Sequence, residues 1–319
     1  MTSRAPSFTS AFKLAALLAA ILLGLFALDR LGAGALHFAL MRSNASAELL
    51  MSKVRPDTVV VGTSTAKYSF RPDAWNGKLL NFAQDGQTVV FSIAQAAALP
   101  PTDTLRRLIV VIDAGDLRQG MKNPDVSRVW RLAPAIAAHP EIASLLKPQT
   151  SPWRPMAWSH LYRYRGTVED IVKGLIRPRT VAYDVLQPGR VREPRANGNR
   201  TSKAKLRDID PSLDGFIGLL KATTERLKVT LILVAPPAYK RPPPPEDRQV
   251  FAELAGRLQG VPLCNLLEVE TPELQRIRDA ADNFHDDVHL DGGGATAYTR
   301  EMQRLIAERC APSARAATR

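Results

Sequence analysis

From Phe12 to Leu28 the chain reads FKLAALLAAILLGLFAL, apolar at every position except Lys13. The run has no polar face. About 20 such residues are needed for a helix to cross a hydrocarbon core of about 30 Å, so the pattern predicts a membrane-spanning helix over residues 12–30. Residues 1–11 precede it, and a linking helix is expected over 31–54. Beyond that point the apolar runs shorten. Thr58–Val61 (TVVV), Arg107–Ile112 (RLIVVI), Val229–Val234 (VTLILV) and Val261–Leu266 (VPLCNL) are rich in Val, Ile and Leu and show no strict alternation. Short runs of that kind are strands buried on both faces.

Helical spacing fills the intervals. Val89–Leu99 is alanine-rich and stops at Pro100-Pro101. SLDGFIGLLKATTERLK, after Pro211, repeats apolar residues at three and four positions, and further helices are predicted over about 246–258 and 294–308. Buried strands separated by helices predict an α/β protein, a three-layer sandwich around a central parallel sheet, spanning about 55–310. Residues 311–319 read as a disordered tail. One segment breaks the alternation. Residues 117–207 contain SPWRPMAWSHLYRYRGT and then a stretch rich in Pro, Arg, Gly and Asn, and read as an insertion or lid.

Charge sharpens that picture. The net charge is +12, yet residues 117–207 hold 18 Lys and Arg against 6 Asp and Glu, while the remainder is balanced at 25 of each. A local excess implies a local anionic partner or surface, the alternative being a merely solvated face. Trp153, Trp158, Arg154, Arg163 and Arg165 form a candidate substrate platform, because aromatic faces stack on sugars and Arg pairs with carboxylate or phosphate. Anionic lipid headgroups, or tryptophans that simply pack the insertion down, are the competing readings.

The flanks of the apolar run set its orientation. Arg4 and Lys13 lie on its N-terminal side, which predicts that end in the cytoplasm and the large domain outside, in the periplasm at the inner membrane. The alternative is a signal peptide cleaved near Ala33-Gly34-Ala35; the length of the run favours the uncleaved anchor. Export makes nucleic acid an unsuitable partner for the basic segment. Cys264 lies in an apolar run and reads as a buried thiol; two cysteines make no disulfide framework, and their pairing is left open.

Two stretches carry chemistry. In DTVVVGTSTAKYSF a buried strand ends at Gly62-Thr63-Ser64, and in FHDDVHLDGGGATAYTREM Asp286 and His289 are three apart, just before the last helix. A serine hydroxyl needs a base within hydrogen-bond reach, usually His, itself held by a carboxylate. In parallel sheets ligands bind beyond the carboxyl ends of the strands, so Ser64, Asp286 and His289 are expected to meet there. Each has a plainer reading: Ser64 as a helix cap, Asp286 as a loop carboxylate. His285 and His289 at a spacing of four could bind metal on a helix, but Gly292-Gly293-Gly294 argues for a loop. No metal or cofactor is expected.

These blocks resemble the SGNH/GDSL hydrolase superfamily. Gly62-Thr63-Ser64 matches its first block, NFAQDGQT its second, with Gly86 as the glycine and Asn81 at a strand end, and Asp286-Asp-Val-His289 its last. The likeness covers about 55–115 and 210–308, and leaves out the basic insertion. It is greatest to the membrane-anchored branch associated with bacterial exopolysaccharide and envelope O-acetylation. The resemblance implies a flavodoxin-like sandwich and a Ser64–His289–Asp286 triad, with an oxyanion hole from the N–H groups of Ser64 and Gly86. It also implies a polysaccharide or other acylated glycan as substrate, and a membrane-bound acyl-donor partner. The family's third block offers an Asn; here the run is VVIDAGDL, with Asp113 and Asp116. Carboxylates cannot donate to an oxyanion unless protonated. The expected function is therefore an O-acetyltransferase or esterase, and the alternative is an inactive module that binds glycan or assembles a complex.

Overall fold

The computed structural model describes residues 8–42, 47–86, 88–120, 139–146, 158–164, 168–176, 186–189, 208–242 and 244–310. Within them, β1 (Thr58–Val61), β2 (Leu79–Asn81), β3 (Arg107–Val111), β4 (Thr230–Val234) and β5 (Leu263–Asn265) form one sheet in the order β2-β1-β3-β4-β5. Every neighbouring pair is parallel. Four of the five are the predicted runs. β2 is the addition: three residues are too few for a period to declare itself.

The strands are buried on both sides, and alternate residues serve two different cores. Val59, Val61, Leu108, Val110, Leu231 and Leu233 point into one. Val60, Ile109, Val111, Ile232 and Val234 point into the other. The first core is closed by α4 (Val89–Ala97), α8 (Asp214–Leu227) and α9 (Pro245–Arg257), together with Met51 of α2 (Ala47–Val54). The second is closed by α3 (Ser64–Ser69), α10 (Pro272–Asp279) and α11 (Gly292–Arg309). Helices on both faces of a parallel sheet give the α/β architecture that the apolar runs predicted. From β1 the chain goes outward to β2 and then returns to β3 on the other side of β1. The carboxyl ends of β1 and β3 thus flank the point where the winding reverses, the usual crevice for a ligand.

Two expectations are revised. Cys264 is not a thiol: it is bonded to Cys310 at the end of α11, with Cα atoms 5.4 Å apart, within the range a disulfide needs. The buried-thiol reading failed because β5 and the end of α11 are neighbours only in the fold. The N-terminal helix α1 runs unbroken from Phe8 to Arg42, past the expected end of the span at residue 30 and into the first part of the expected linking helix; residues 47–54 of that linker form α2. Asp29 and Arg30 do not end it, because both are satisfied by the insertion. Asp29 accepts from the Ser159 hydroxyl at 2.5 Å and from the N–H groups of His160 and Leu161 at 2.8 and 3.0 Å, and Arg30 bonds the His160 ring. Within α1, residues 12–39 form a segment long and apolar enough to cross a membrane.

The insertion is described only in pieces. In α6 (Pro140–Leu146) Ile142 joins the first core. A 3₁₀ turn (Leu161–Tyr164) and α7 (Val168–Ile176) pack on α1. Trp153, Arg154 and Arg165 lie outside the described residues, as does the side chain of Arg163. Trp158 is 85% exposed and adjoins Ser159, which puts it beside α1.

Candidate active site

Ser64 is delivered by a tight strand-to-helix junction. A Cβ on Gly62 would lie 2.5 Å from the Ala66 methyl and 3.1 Å from Val111 Cβ, so only glycine lets α3 start against β1 and β3. Thr63 is the N-cap of α3, accepting from Thr65 N at 3.3 Å. The capping duty considered for Ser64 therefore belongs to its neighbour, and Ser64, the first helical residue, keeps its hydroxyl for another partner.

That partner is His289. The segment 284–290 is closed by a bridge between Phe284 and Leu290, both fully buried, and by His285 N donating to His289 O at 2.8 Å. Inside this short loop Asp286 Oδ1 accepts from the N–H groups of Val288 and His289 at 2.9 and 2.8 Å. Its Oδ2 lies 2.7 Å from His289 Nδ1, and His289 Nε2 lies 2.8 Å from Ser64 Oγ. A carboxylate only accepts, so Nδ1 carries the proton and Nε2 is left to accept from the serine. Partial burial opposes ionisation of Asp286, but the bonds from the His289 ring and the two N–H groups outweigh it and hold its carboxyl below the usual range.

The support is layered. Asp291 caps α11, accepting from Gly294 N at 2.7 Å. Tyr239 N donates to Asp287 O at 3.0 Å and Arg241 faces Asp287 at 3.6 Å, which ties the loop to the Pro236-Pro237 rim of β4. The Tyr68 ring meets the His289 ring edge-on, with centroids 5.5 Å apart. Lys67, beside it, pairs with Asp85 at 2.7 Å. Tyr68 and Lys67 were not singled out from the sequence; their offsets of four and three from Ser64, which put all three on one face of α3, were the available signal.

The chain matches no protein-family model and no curated protein.

Gly86 sits in a turn after β2 with φ +64°, a conformation that favours glycine. The preceding residue but one, Gln84, donates its N–H to Gly62 O at 3.2 Å, which fixes this turn to the junction that carries Ser64. Asn81 fastens it further. Its side-chain amide donates to the carbonyls of Ala66, Lys67 and Phe70 at 3.2, 3.0 and 2.8 Å, closing the C-terminal end of α3. Asp113 follows the carboxyl end of β3, the strand paired with β1. Its carboxylate caps α5 (Ala114–Gln119) by accepting from Gly115 N at 2.6 Å. The metal reading of His285 finds no support among the described residues, which contain no group of three or more His, Cys, Asp or Glu able to hold an ion. His285 Nδ1 instead bonds Gln187 O at 2.8 Å.

Proposed function

We propose that this protein is a membrane-anchored serine acyl-ester enzyme of the SGNH type, an O-acetyltransferase or esterase acting on an envelope or secreted polysaccharide. The observation that carries the reading is the continuous relay from Asp286 Oδ2 through His289 to Ser64 Oγ, with links of 2.7 and 2.8 Å at the carboxyl rim of a parallel sheet. The flavodoxin-like strand order, and the bond from Gln84 N to Gly62 O that ties the turn carrying Gly86 to the junction carrying Ser64, support the same assignment.

In this mechanism Ser64 Oγ attacks the acyl carbonyl while its proton passes to His289 Nε2. Asp286 stabilises the imidazolium that forms. The tetrahedral intermediate collapses, the C–O bond to the alcohol breaks, and His289 returns the proton to the departing oxygen, leaving acyl-Ser64. Water or a sugar hydroxyl then gives its proton to His289 and attacks the acyl group; the bond from the acyl carbon to Ser64 Oγ breaks and His289 returns the proton to Oγ, which regenerates Ser64. Water makes the protein an esterase; a sugar makes it a transferase, supplied by a membrane-bound acyl donor. The Ser64 N–H, first in its helix and so without an intrahelical acceptor, would face the oxyanion together with that of Gly86. The Cys264–Cys310 bond suits an oxidising compartment, in keeping with a domain held outside the inner membrane by α1.

Asp113 favours a second reading. It offers an acceptor where the resembled family places a donor, and a missing oxyanion donor raises a barrier by about 3 kcal/mol. A binding or assembly module on the same fold would tolerate this. The test uses the full chain in nanodiscs with a chromogenic acetyl ester and a fluorophosphonate probe. Turnover and labelling that both vanish in Ser64→Ala support the enzyme. Their absence in the wild type, together with retained binding of an anionic glycan, supports the module.

A further inference from the structure

Helix α7 has an apolar face that is exposed among the described residues. Val168, Val172, Leu175 and Ile176 are 38, 46, 50 and 73% exposed. At 100° per residue they fall within an arc of about 100°, the width of an apolar stripe. Ile171, at the margin of that arc, is buried with Ala33 of α1 and Tyr164, and Leu36 and Ala39 pack against them. The exposed stripe is therefore continuous with α1, whose own apolar side chains are bare from Phe12 to Leu28 and again at Leu31 and Phe38.

The length of α1 says where this face lies. The apolar stretch Phe12–Ala39 has 28 residues, about 42 Å at 1.5 Å each. A hydrocarbon core takes about 30 Å. The surplus of about 12 Å is the stretch from about residue 32 to 39, and that is the stretch on which α7 packs. Twenty residues from Phe12 bring the boundary to Leu31, beside Asp29, where the insertion is hydrogen-bonded in place. Trp158, 85% exposed, stands at that level, the depth at which tryptophan is enriched in membrane proteins. The same insertion carries the chain's whole positive excess, 18 basic against 6 acidic residues over 117–207, which suits an anionic leaflet.

We infer that the insertion is a bilayer-docking element: α7 and Trp158 lie in the headgroup–acyl boundary of the leaflet that α1 enters, with the apolar stripe toward the lipid. The inference rests on α1 spanning the membrane and is independent of catalysis. Its consequence reaches the site. Further along the same insertion, Gln187 O accepts from His285 at 2.8 Å, and Leu186 O accepts from Gly292 N at 3.0 Å. The insertion that carries the lipid-facing helix thus also supplies two acceptors to the loop that holds Asp286 and His289 and to the start of α11.

The test places a single environment-sensitive fluorophore on the full chain, in vesicles of phosphatidylcholine and phosphatidylglycerol. Val172→Cys and Ile176→Cys report on the stripe, Leu22→Cys on the span, and Arg248→Cys, on the exposed side of α9, on solvent. Spin-labelled lipid should quench positions 172 and 176 several-fold more than position 248, with aqueous iodide showing the reverse order. Iodide quenching at 172 and 176 equal to that at 248, with position 22 still quenched by lipid, overturns docking and leaves the span intact. Protection of 172 and 176 from both quenchers means that protein covers the stripe, and overturns it equally. Loss of lipid quenching at position 22 as well removes the span on which the inference rests.

Discussion

Replacing Asp286 by Asn tests the proposed relay with almost no change of shape. Asp286 makes three contacts: Oδ1 with the N–H groups of Val288 and His289 at 2.9 and 2.8 Å, and Oδ2 with His289 Nδ1 at 2.7 Å. An asparagine can keep the first two with its oxygen, which turns its NH₂ toward Nδ1. Nδ1 must then accept, the proton moves to Nε2, and Nε2 can no longer take the proton of Ser64. The wrong tautomer costs a triad about 10⁴-fold in kcat, near 5 kcal/mol of barrier. The assay is kcat for a chromogenic acetyl ester, with the rate of fluorophosphonate labelling of Ser64 as a second readout. Asp287→Asn is the control, since that carboxylate faces Arg241, and it should stay within a few-fold of wild type. Stability supplies an independent check. The Asp286 carboxyl lies below its ordinary value, where hydrogen bonds from His289 and the two N–H groups overcome the opposing effect of burial. Its contribution is full above the unfolded value of about 4 and is lost as pH falls through the lower folded value. The stability gap between wild type and Asp286→Asn should therefore be steady from neutral pH to about pH 5 and close below about pH 4. A loss of activity under tenfold, with that pH signature present, would refute the orienting role and with it the relay.

Two further perturbations probe the frame. Cys264 and Cys310 close a loop with a sequence separation of 46, worth about 4 kcal/mol by chain entropy; the double serine variant should lower the urea midpoint accordingly, and reductant should bring the wild type to the same value. An unchanged midpoint, or free thiols by mass spectrometry in the oxidised protein, would contradict the bond. Thr299 is fully buried in α11, where its hydroxyl accepts from Arg71 N at 2.8 Å and donates to Ser69 O at 3.1 Å. Thr299→Val keeps the shape and strands both groups, so thermal unfolding should report a loss of about 2 kcal/mol, and a loss below about 0.5 kcal/mol would show that the tie is unimportant.

The features legible in the sequence were those set by neighbours in the chain. TVVV, RLIVVI and VTLILV announce strands because burial on both faces demands unbroken apolar runs, and Asp286 and His289 announce a carboxylate–imidazole pair because a turn of three residues brings them together. What stayed hidden was set by contacts between distant residues. β2 exists because Leu79 and Leu80 find places beside Thr58 and Val59, not because three residues have a pattern. The charged pair Asp29-Arg30 read as the end of a span, since nothing local shows that Ser159 and His160 will satisfy it. Cys264 looked like a buried thiol for the same reason.

The meeting of Ser64 with a histidine 225 residues later is a consequence of how two helices are fastened. α3 begins at Ser64 and α11 begins three residues after His289, both on the same face of the sheet. Their mutual position is fixed by Thr299, which binds the chain at Ser69 and Arg71, and by the edge-on contact of Phe70 with Tyr298, centroids 5.6 Å apart. Tyr298 in turn donates to Ala235 O at 3.1 Å, holding α11 to the end of β4. The hydroxyl and the imidazole are thus placed by packing at the far end of α3, about one helix length from the chemistry. A substitution there that shifts α11 along α3 by 1 Å would break a 2.8 Å contact without touching either residue. The relay is consequently a property of the α3–α11 interface, and its geometry is as stable as that buried contact.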